Sequence, residues 1–426
     1  MEDYNQMWTD LEMDLERHDV LLNALPELYQ STYLVQNNRP RAMAYFDFVI
    51  SEIHGLRVKE LVEHKTKGGK IFGAFCVYVP EEIIVAANGI CVGLCAGAEI
   101  SIARAEQVLP RNICPLIKSA FGFKLEKICP YFQACDLVVG ETTCDGKKKT
   151  WEILSDYVPM YVMELPQQKR EVDRALWTGE LLAFKQKVED ITGNKITASA
   201  LSKATTLLNS RRAALKHLYD LRKADPVPIS GLDALLPVQV SFFDDPLRLT
   251  QKVNELCAEL ESRINNKIGV TPPNTPRILI SGSPMVIPNW KIHSIIESSG
   301  AVVVCEESCT GTRLFSSLNT GINENDLDAQ IKFIAERQLK TNCACFTPNE
   351  ERLEEILDLC REYKVDGVIN YSLSFCQPYM LEAVKIKKYL DQKKIPLLTL
   401  ETDYGLGDVE QIRTRVQAFI EMLSKK

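Results

Sequence analysis

The sequence predicts an α/β fold with two similar Rossmann-like parallel-sheet domains and an additional helical region. Two observations lead to this prediction. Short apolar segments alternate with amphipathic helices, which is typical of parallel sheets covered by helices on both faces. The same order of segments recurs in the C-terminal half, with cysteines at corresponding places. A chain of 426 residues also exceeds one ordinary hydrophobic core, so several domains are expected.

The first predicted domain starts with a buried strand at residues 69–75. A helix begins at Pro80, because proline at the first helical position and acids in the first turn are typical helix starts. Gly89 ends that helix. The later strands of this domain are predicted at residues 90–95, 136–144 and 158–163. The strand at 136–144 runs into a loop with a cysteine, and a helix near Trp151 follows this loop.

The C-terminal half repeats this order. A strand at residues 276–281 precedes a helix that starts at Pro288 and ends at Gly300. A later helix around Met380 again follows a strand and a cysteine-containing loop. The remaining strands of this half are predicted at residues 301–305, 366–376 and 395–400.

These elements divide the chain into four regions. Residues 1–40 form an N-terminal helical segment, and residues 41–165 form the first α/β domain. A polar helical region at 166–265 separates it from the second α/β domain at 266–426. In open α/β sheets, ligands bind outside the carboxyl ends of the strands. A cofactor buried in the cleft between the two domains is therefore expected.

Composition excludes several classes of function. The net charge is −7 with both signs interspersed, so the chain has no basic footprint for nucleic acid or for an anionic membrane. No run of about 18 apolar residues occurs, and the acidic N-terminus does not resemble a secretion signal. A cytoplasmic protein is expected. Because thiols in a reducing compartment rarely form disulfides, the 14 cysteines indicate metal binding or catalysis.

Several cysteines lie in predicted loops rather than in the core. Cys144 and Cys376 each follow a strand and precede a helix, whose positive end favours the metal-binding thiolate. Cys114 and Cys129 each precede a proline, as is common among iron–sulfur ligands. The complete loop set, interpreted as candidate metal ligands, is Cys114, Cys129, Cys144, Cys309, Cys343, Cys345 and Cys376.

The other cysteines favour a structural interpretation. Cys91 and Cys305 alternate with apolar strand residues, which predicts core packing. Cys76 ends a strand and is a possible ligand, although a place in the strand core is the preferred interpretation. Zinc is the rival metal, but the sequence has no CxxC pair and its five histidines fall on predicted helices or their ends. The remaining structural cysteines are Cys135, Cys257 and Cys360.

Acidic residues near the loop cysteines are the candidates for proton transfer. Glu141 and Glu307 are predicted as catalytic groups, with acids at helix starts as the alternative interpretation. Tyr379 either lines the pocket or packs against it. The segment 140–147 resembles a phosphate loop, but it has five residues between its glycines and no Ser or Thr after Lys147. The lysines at 147–149 are either a solvated helix start or a counter-charge for an anionic cluster.

Longer segments resemble the 2-hydroxyacyl-CoA dehydratase family, in its D-component type. The similar segments are residues 109–123, 129–132, 136–149, 307–311 and 343–345. The similarity extends over most of the chain from about residue 70, apart from the helical middle. Within the family, the surplus of loop cysteines is most similar to the double-cubane cluster proteins.

The resemblance implies an iron–sulfur cofactor. In dehydratase subunits of the family, three cysteines hold one 4Fe–4S cluster, and the matching residues here are Cys114, Cys144 and Cys376. The double-cubane branch joins two 4Fe–4S units by a sulfide, which requires six thiolates. The second three are then Cys129, Cys309 and either Cys343 or Cys345, with that choice left open.

The resemblance also implies an oxygen-sensitive reductase of anaerobic chemistry that acts on small unsaturated substrates. Family members receive low-potential electrons from a separate homodimeric ATPase with its own 4Fe–4S cluster, and this chain is expected to be a homodimer. The lack of a nucleotide motif agrees with a separate ATPase. The alternative is one subunit of a 2-hydroxyacyl-CoA dehydratase, which performs radical dehydration with a single 4Fe–4S cluster and needs a second, different subunit.

Overall fold

A computed structural model describes residues 3–318 and 325–424 of the chain. Within these ranges the chain forms two four-stranded sheets, and all strand pairs are parallel. The first sheet has the order β2-β1-β3-β4, and its strands are β1 (Lys70–Ala74), β2 (Gly89–Gly93), β3 (Leu137–Glu141) and β4 (Met160–Met163). The second sheet has the corresponding order β6-β5-β7-β8, and its strands are β5 (Arg277–Gly282), β6 (Val302–Glu307), β7 (Gly367–Leu373) and β8 (Leu397–Thr402). The predicted α/β fold with two similar parallel sheets is confirmed.

Helices cover these sheets and fill the stretch between them. Short additional turns are a π-helix at Gln30–Leu34 and a 3-10 helix at Arg41–Met43. No helix in the described part of the chain combines the length and the apolar character needed to cross a membrane. The α-helices are α1 (Asn5–Asp10), α2 (Leu15–Tyr29), α3 (Ala44–Ser51), α4 (Leu56–Thr66), α5 (Glu81–Ala86), α6 (Ile102–Ala105), α7 (Pro115–Leu125), α8 (Pro130–Ala134), α9 (Asp145–Leu154), α10 (Glu171–Thr192), α11 (Ala198–Leu221), α12 (Gly231–Val240), α13 (Pro246–Asn265), α14 (Lys291–Ser298), α15 (Thr312–Phe315), α16 (Leu327–Leu339), α17 (Glu350–Glu362), α18 (Gln377–Gln392) and α19 (Val409–Ser424).

The central strands are apolar because both faces of each sheet are covered. Every residue of β3, β5, β6 and β7 is buried, whereas the edge strands β4 and β8 are partly exposed. Such continuous apolar runs are typical of parallel strands between two helical layers. Parallel pairing brings the carboxyl ends of neighbouring strands to one edge of each sheet, and the loops that carry the cysteines begin there.

The loop after β5 depends on a glycine. Gly282 has a φ of +141°, and a Cβ added to it would lie 1.9 Å from the carbonyl oxygen of Tyr371 in β7. A larger residue is therefore excluded from this position. The tight turn lets the Ser283 backbone N–H donate to the Tyr371 carbonyl at 2.9 Å, and the Ser283 hydroxyl accept from the Leu373 N–H at 3.1 Å. Ser283 is thereby held beside the cysteine that follows β7.

The middle helices connect the two sheets. Helix α11 packs on α5 from the first half and on α15 and α16 from the second, while α10 packs along α16. The indole N–H of Trp177 on α10 donates to the Gln338 side chain on α16 at 3.0 Å, and both residues are buried. The helical stretch therefore joins the two halves into one structure. The division into four regions with the boundaries given above stays a prediction.

A buried ion network reinforces this connection. Glu82 on α5 accepts hydrogen bonds from Arg212 on α11 at 2.7 Å and from Arg337 on α16 at 3.1 Å. Its neighbour Glu81 pairs with Arg211 on α11 at 2.5 Å. Burial alone would raise the pKa of Glu82, but Arg212 and Arg337 outweigh burial and lower that pKa to about 2. The network thus holds an ionised carboxylate between the two halves.

Glu82→Gln is expected to destabilise the protein, and more so near neutral pH than in acid. A carboxyl with a lowered folded-state pKa contributes stability above its unfolded pKa of about 4.3, and loses it as the pH falls toward the folded value. The difference in unfolding free energy between wild type and Glu82→Gln should therefore shrink by about 1–2 kcal/mol from pH 6 to pH 3. Urea unfolding at the two pH values measures it. A difference that does not change with pH would contradict the ionised state assigned to Glu82.

Candidate functional site

The carboxyl edges of both sheets border one cavity of about 890 Å³. Residues from both halves of the chain line it, including the loops after β1, β3, β6 and β7. This size suits a cofactor or a small ligand. Ten of the 14 cysteines lie in its wall: Cys76, Cys91, Cys95, Cys114, Cys129, Cys144, Cys309, Cys343, Cys345 and Cys376.

Three of these cysteines form what we call the first thiol group: Cys114, Cys144 and Cys376. Each is the residue immediately before a helix, at the starts of α7, α9 and α18. The Cys376 thiol is hydrogen-bonded to Cys114, which lowers the pKa of Cys114 and raises that of Cys376. The Cys144 sulfur accepts the Lys147 backbone N–H at 3.4 Å. Helix starts thus place three sulfurs beside backbone N–H groups, which favour a thiolate, whereas burial raises the pKa of Cys144.

Four further cysteines form the second thiol group: Cys76, Cys309, Cys343 and Cys345. The Cys76 thiol is hydrogen-bonded to Cys309, and this bond lowers the pKa of Cys309. A hydrogen bond from Cys345, together with the nearby positive charge of Arg313, lowers the pKa of Cys343 to about 5. Cys309 and Cys343 also interact with each other electrostatically, so the two pairs are neighbours.

The loop that carries Cys343 is fixed by polar contacts to both halves. The Tyr379 hydroxyl lies 3.8 Å from the Cys343 sulfur and is hydrogen-bonded to Arg313. The Asn349 side chain donates to the Cys343 carbonyl at 3.0 Å, and the Tyr78 hydroxyl donates to the Thr341 carbonyl at 3.0 Å. Tyr379 therefore lines the site, which is one of the two placements considered for it from the sequence.

One predicted ligand, Cys129, lines the same cavity but has other partners than the two groups. Cys129 precedes α8 and interacts with Cys135 and Lys124. Burial raises the pKa of the Cys129 thiol to about 11. Cys76, which the sequence assigns by preference to a strand core, instead lies beside Cys309. Strand β1 ends at Ala74, so Cys76 lies beyond the strand and not within it. The role of Cys129 as a ligand stays a prediction.

The connection between β2 and β3 is largely helical. The sequence predicts that Cys114 and Cys129 lie in loops, whereas α6, α7 and α8 occupy this stretch and each of the two cysteines directly precedes a helix. Strand β2 also ends at Gly93, so Cys95 lies beyond it and not within it. The Cys95 thiol donates to the Phe75 carbonyl at 3.2 Å, and burial raises its pKa to about 12.

Other cysteines are structural, as the sequence predicts. Cys257, Cys305 and Cys360 are buried in the main hydrophobic core. The Cys135 thiol donates to the Tyr131 carbonyl at 3.1 Å. Cys91 lies in β2 as predicted, but it is only partly buried, because one side of it faces the cavity.

Glu141 and Lys147 form a buried ion pair, of which Lys147 lines the cavity. Glu141 ends β3, and its side chain contacts Lys147 and accepts from the Thr143 hydroxyl at 3.1 Å. Burial would lower the pKa of Lys147, but the charges of Glu141 and Cys76 raise it well above its usual value. Lys147 thus provides a fixed positive charge beside the thiols, whereas Lys149 lies on the surface with Glu152. The catalytic role of Glu141 stays a prediction.

Glu307 is surrounded by positive charge. It is fully buried, accepts from Arg313 Nε at 2.6 Å and Arg352 Nη2 at 2.9 Å, and accepts the Ser281 hydroxyl at 2.7 Å. Glu306, the residue before it, is paired with Arg222. Paired carboxylates of this kind hold neighbouring elements together. The predicted catalytic role of Glu307 also stays a prediction.

The donor set consists of cysteine thiols, which are the usual ligands of iron–sulfur clusters. Within residues 3–318 and 325–424, no three His, Cys, Asp or Glu side chains converge on one point where a single ion would bind. The thiolates of a cluster bind different irons and need not converge. Two neighbouring sets of three and four thiols, at helix starts and strand ends, fit this chemistry.

Comparison with known proteins gives the family. The family model described as "2-hydroxyglutaryl-CoA dehydratase, D-component" matches residues 76–423. YjiM of Escherichia coli (strain K12), provisionally named as a dehydratase subunit, is 39% identical over 85% of this chain and 94% of its own. The (R)-phenyllactyl-CoA dehydratase beta subunit of Clostridium sporogenes is 24% identical over 86% and 95%. A benzoyl-CoA reductase subunit of Thauera aromatica is 22% identical over 83% and 91%. The resemblance seen in the sequence is confirmed, and the chain belongs to the 2-hydroxyglutaryl-CoA dehydratase D-component family.

Proposed function

We propose that this chain is an iron–sulfur reductase that holds two 4Fe–4S units bridged by sulfide. The observation that carries the proposal is the presence of two neighbouring thiol groups in one cavity. A single 4Fe–4S cluster bound by three cysteines would use only the first group. The second group supplies the three further thiolates that a second unit requires. Family members are dehydratase or reductase subunits, which supports an enzymatic role.

The first thiol group would hold one 4Fe–4S unit. Cys76, Cys309 and either Cys343 or Cys345 would hold the second, with Cys76 in the place that the sequence gives to Cys129. When bound, such a cofactor supplies single electrons at low potential. Hydrogen bonds and fixed charges next to sulfur adjust that potential.

Residues of this chain would balance the charge of the bound cofactor. Lys147 and Arg313 are buried cations beside the thiols, and each interacts with Cys76 or with Cys309. The Tyr379 hydroxyl lies within reach of Cys343. Cavity walls with few exposed polar groups would exclude bulk water and so protect the reduced state.

A separate protein would supply the electrons. The family resemblance implies a homodimeric ATPase with its own 4Fe–4S cluster, and we assign this chain no nucleotide site. The segment resembling a phosphate loop instead forms the end of β3 and the start of α9, with Cys144 and Lys147 facing the cavity. We further propose a homodimer in the cytoplasm that reduces small unsaturated molecules.

A second candidate function is favoured by the names of the relatives. Several are subunits of acyl-CoA dehydratases, among them the (R)-2-hydroxyglutaryl-CoA dehydratase subunit beta of Acidaminococcus fermentans. In this alternative, the chain holds one 4Fe–4S cluster on the first thiol group and pairs with a different subunit to dehydrate a 2-hydroxyacyl-CoA. The second thiol group then has no cofactor.

Iron and acid-labile sulfide, measured per chain on protein purified without oxygen, distinguish the two candidates. The reductase predicts about eight irons with slightly more sulfide than iron, because a bridging sulfide joins two units. The dehydratase subunit predicts about four irons. Zinc without iron would contradict both. A Cys257→Ala variant, altered only in the core, serves as the control for nonspecific loss of metal.

A further inference from the structure

Three arginines line the cavity, two from α11 and one from α16. We call Arg211, Arg212 and Arg337 the arginine cluster. They are 3%, 4% and 8% exposed, and what remains exposed faces the cavity. Long charged side chains are seldom buried without partners, so each of these guanidinium groups needs an explanation.

Two of the arginines are each paired with a carboxylate of α5. Arg211 holds Glu81 through both terminal nitrogens and also donates to the Ser241 carbonyl at 3.2 Å. Arg212 donates to Glu82 at 2.7 Å. Within each of these two pairs, the positive charge of the arginine is balanced by the negative charge of the carboxylate.

Arg337 is a third cation in a cluster that contains only two carboxylates. It donates to Glu82 at 3.1 Å through Nη2, and its buried Nε makes no hydrogen bond to the described residues. Counted over the described residues, the cluster and its two acids carry one excess positive charge. Burial, together with repulsion from Arg212, lowers the pKa of Arg337 to about 10. An anion in the cavity would relieve this imbalance.

A chain of contacts through Gln338 and Tyr78 connects the position of Arg337 with the second thiol group. The residue after it, Gln338, donates to the Tyr78 carbonyl at 2.8 Å, and the Tyr78 hydroxyl donates to the Thr341 carbonyl. Tyr78 itself interacts electrostatically with Cys343 and Cys345. A ligand held by Arg337 would therefore extend along one cavity wall toward these thiols.

We propose that Arg337, oriented by Glu82, binds the carboxylate of a small monovalent ligand inside the cavity. A guanidinium presents paired N–H donors that match the two oxygens of a carboxylate, and a single excess charge matches a monovalent anion. The inference deepens the proposed function, because it assigns the substrate of the proposed reaction to small carboxylates. Only this assignment rests on the proposed function. Binding of the carboxylate does not require a cluster.

Isothermal titration calorimetry on protein purified without oxygen tests this site. Acetate is the probe, acetamide is its uncharged counterpart, and sodium sulfate keeps the ionic strength constant. Wild type is expected to bind acetate and not acetamide. Arg337→Gln is expected to weaken acetate binding roughly tenfold or more, as for loss of a hydrogen bond to a charged group. Arg174→Gln is the matched control, because Arg174 forms an ion pair with Glu336 on α16 but does not line the cavity.

Three results would overturn the carboxylate site. The first is equal acetate affinity in wild type and Arg337→Gln, and the second is binding of acetamide as tight as that of acetate. The third is binding of chloride to the same site, in competition with acetate and as strong as that of acetate. Arg337→Gln is expected to fold, because Glu82 keeps its hydrogen bond from Arg212. If it does not fold, Arg337→Lys decides: weakened acetate binding supports the site and unchanged binding contradicts it. Iron measured on the same samples tests the cluster separately, so failure of one proposal is distinguished from failure of the other.

Discussion

Cys76→Ala is expected to remove about half of the bound iron, roughly four of eight atoms per chain, whereas Cys129→Ala retains all of it. We expect this difference because the two cysteines have different partners in the structure. Cys76 is hydrogen-bonded to Cys309 within the second thiol group, while Cys129 interacts with Cys135 and Lys124. Loss of one of three thiolates should release the unit that depends on it. Iron and sulfide analysis of anaerobically purified variants, with absorption at visible wavelengths, measures the loss.

Cys360→Ala is the matched control, since Cys360 is buried on α17 away from the cavity lining. It should retain iron at the wild-type level while losing a comparable volume of buried side chain. The opposite pattern, with iron lost in Cys129→Ala and retained in Cys76→Ala, would restore the ligand set inferred from the sequence. It would also contradict the role of Cys76 as a ligand, while Cys309 and either Cys343 or Cys345 would remain ligands.

The fold and the places of Cys114, Cys144 and Cys376 before helices were predictable because their signals are local, whereas their grouping as one set of three came from the family resemblance. An apolar run followed by a cysteine and an amphipathic helix identifies a strand, its carboxyl end and a helix start. Cys144 and Cys376 fulfil this pattern in both halves, and Cys114 carries the additional signal of a following proline. Each of these signals depends on residues a few positions apart, so the sequence contains it.

The positions of Cys76 and the arginine cluster were not predictable, because they depend on contacts between distant parts of the chain. Whether Cys76 lies inside β1 or beyond it depends on where pairing with β2 and β3 stops, and that is set by tertiary hydrogen bonds. Glu82 meets Arg212 and Arg337 across 130 and 255 positions of the chain. No periodicity or spacing encodes such a contact. Sites of this kind therefore emerge only when the two halves are placed together.

Glu307→Gln is expected to cost about 3–5 kcal/mol of unfolding free energy, because it leaves Arg313 and Arg352 buried beside a neutral group. Burial would raise the pKa of Glu307, yet the two arginines lower it, so the carboxylate is the form that holds them. Strand β6 ends at Glu307, and Cys309 follows two residues later. Loss of the anchor should therefore also reduce the iron held by the second thiol group. Urea unfolding and iron analysis measure the two effects.

The structural and catalytic interpretations of Glu307 give different results in this experiment. A proton-transfer role predicts that Glu307→Gln keeps wild-type stability and iron but loses activity. An anchoring role predicts loss of stability, with partial recovery in the double variant Glu307→Gln, Arg313→Met, because the second change removes the cation that lost Glu307. Arg352, in contrast, keeps its ion pair with Glu382. Glu152→Gln, which breaks the surface pair with Lys149, is the control and should unfold like wild type. Since both arginines already neutralise Glu307 in the folded protein, we expect the anchoring result.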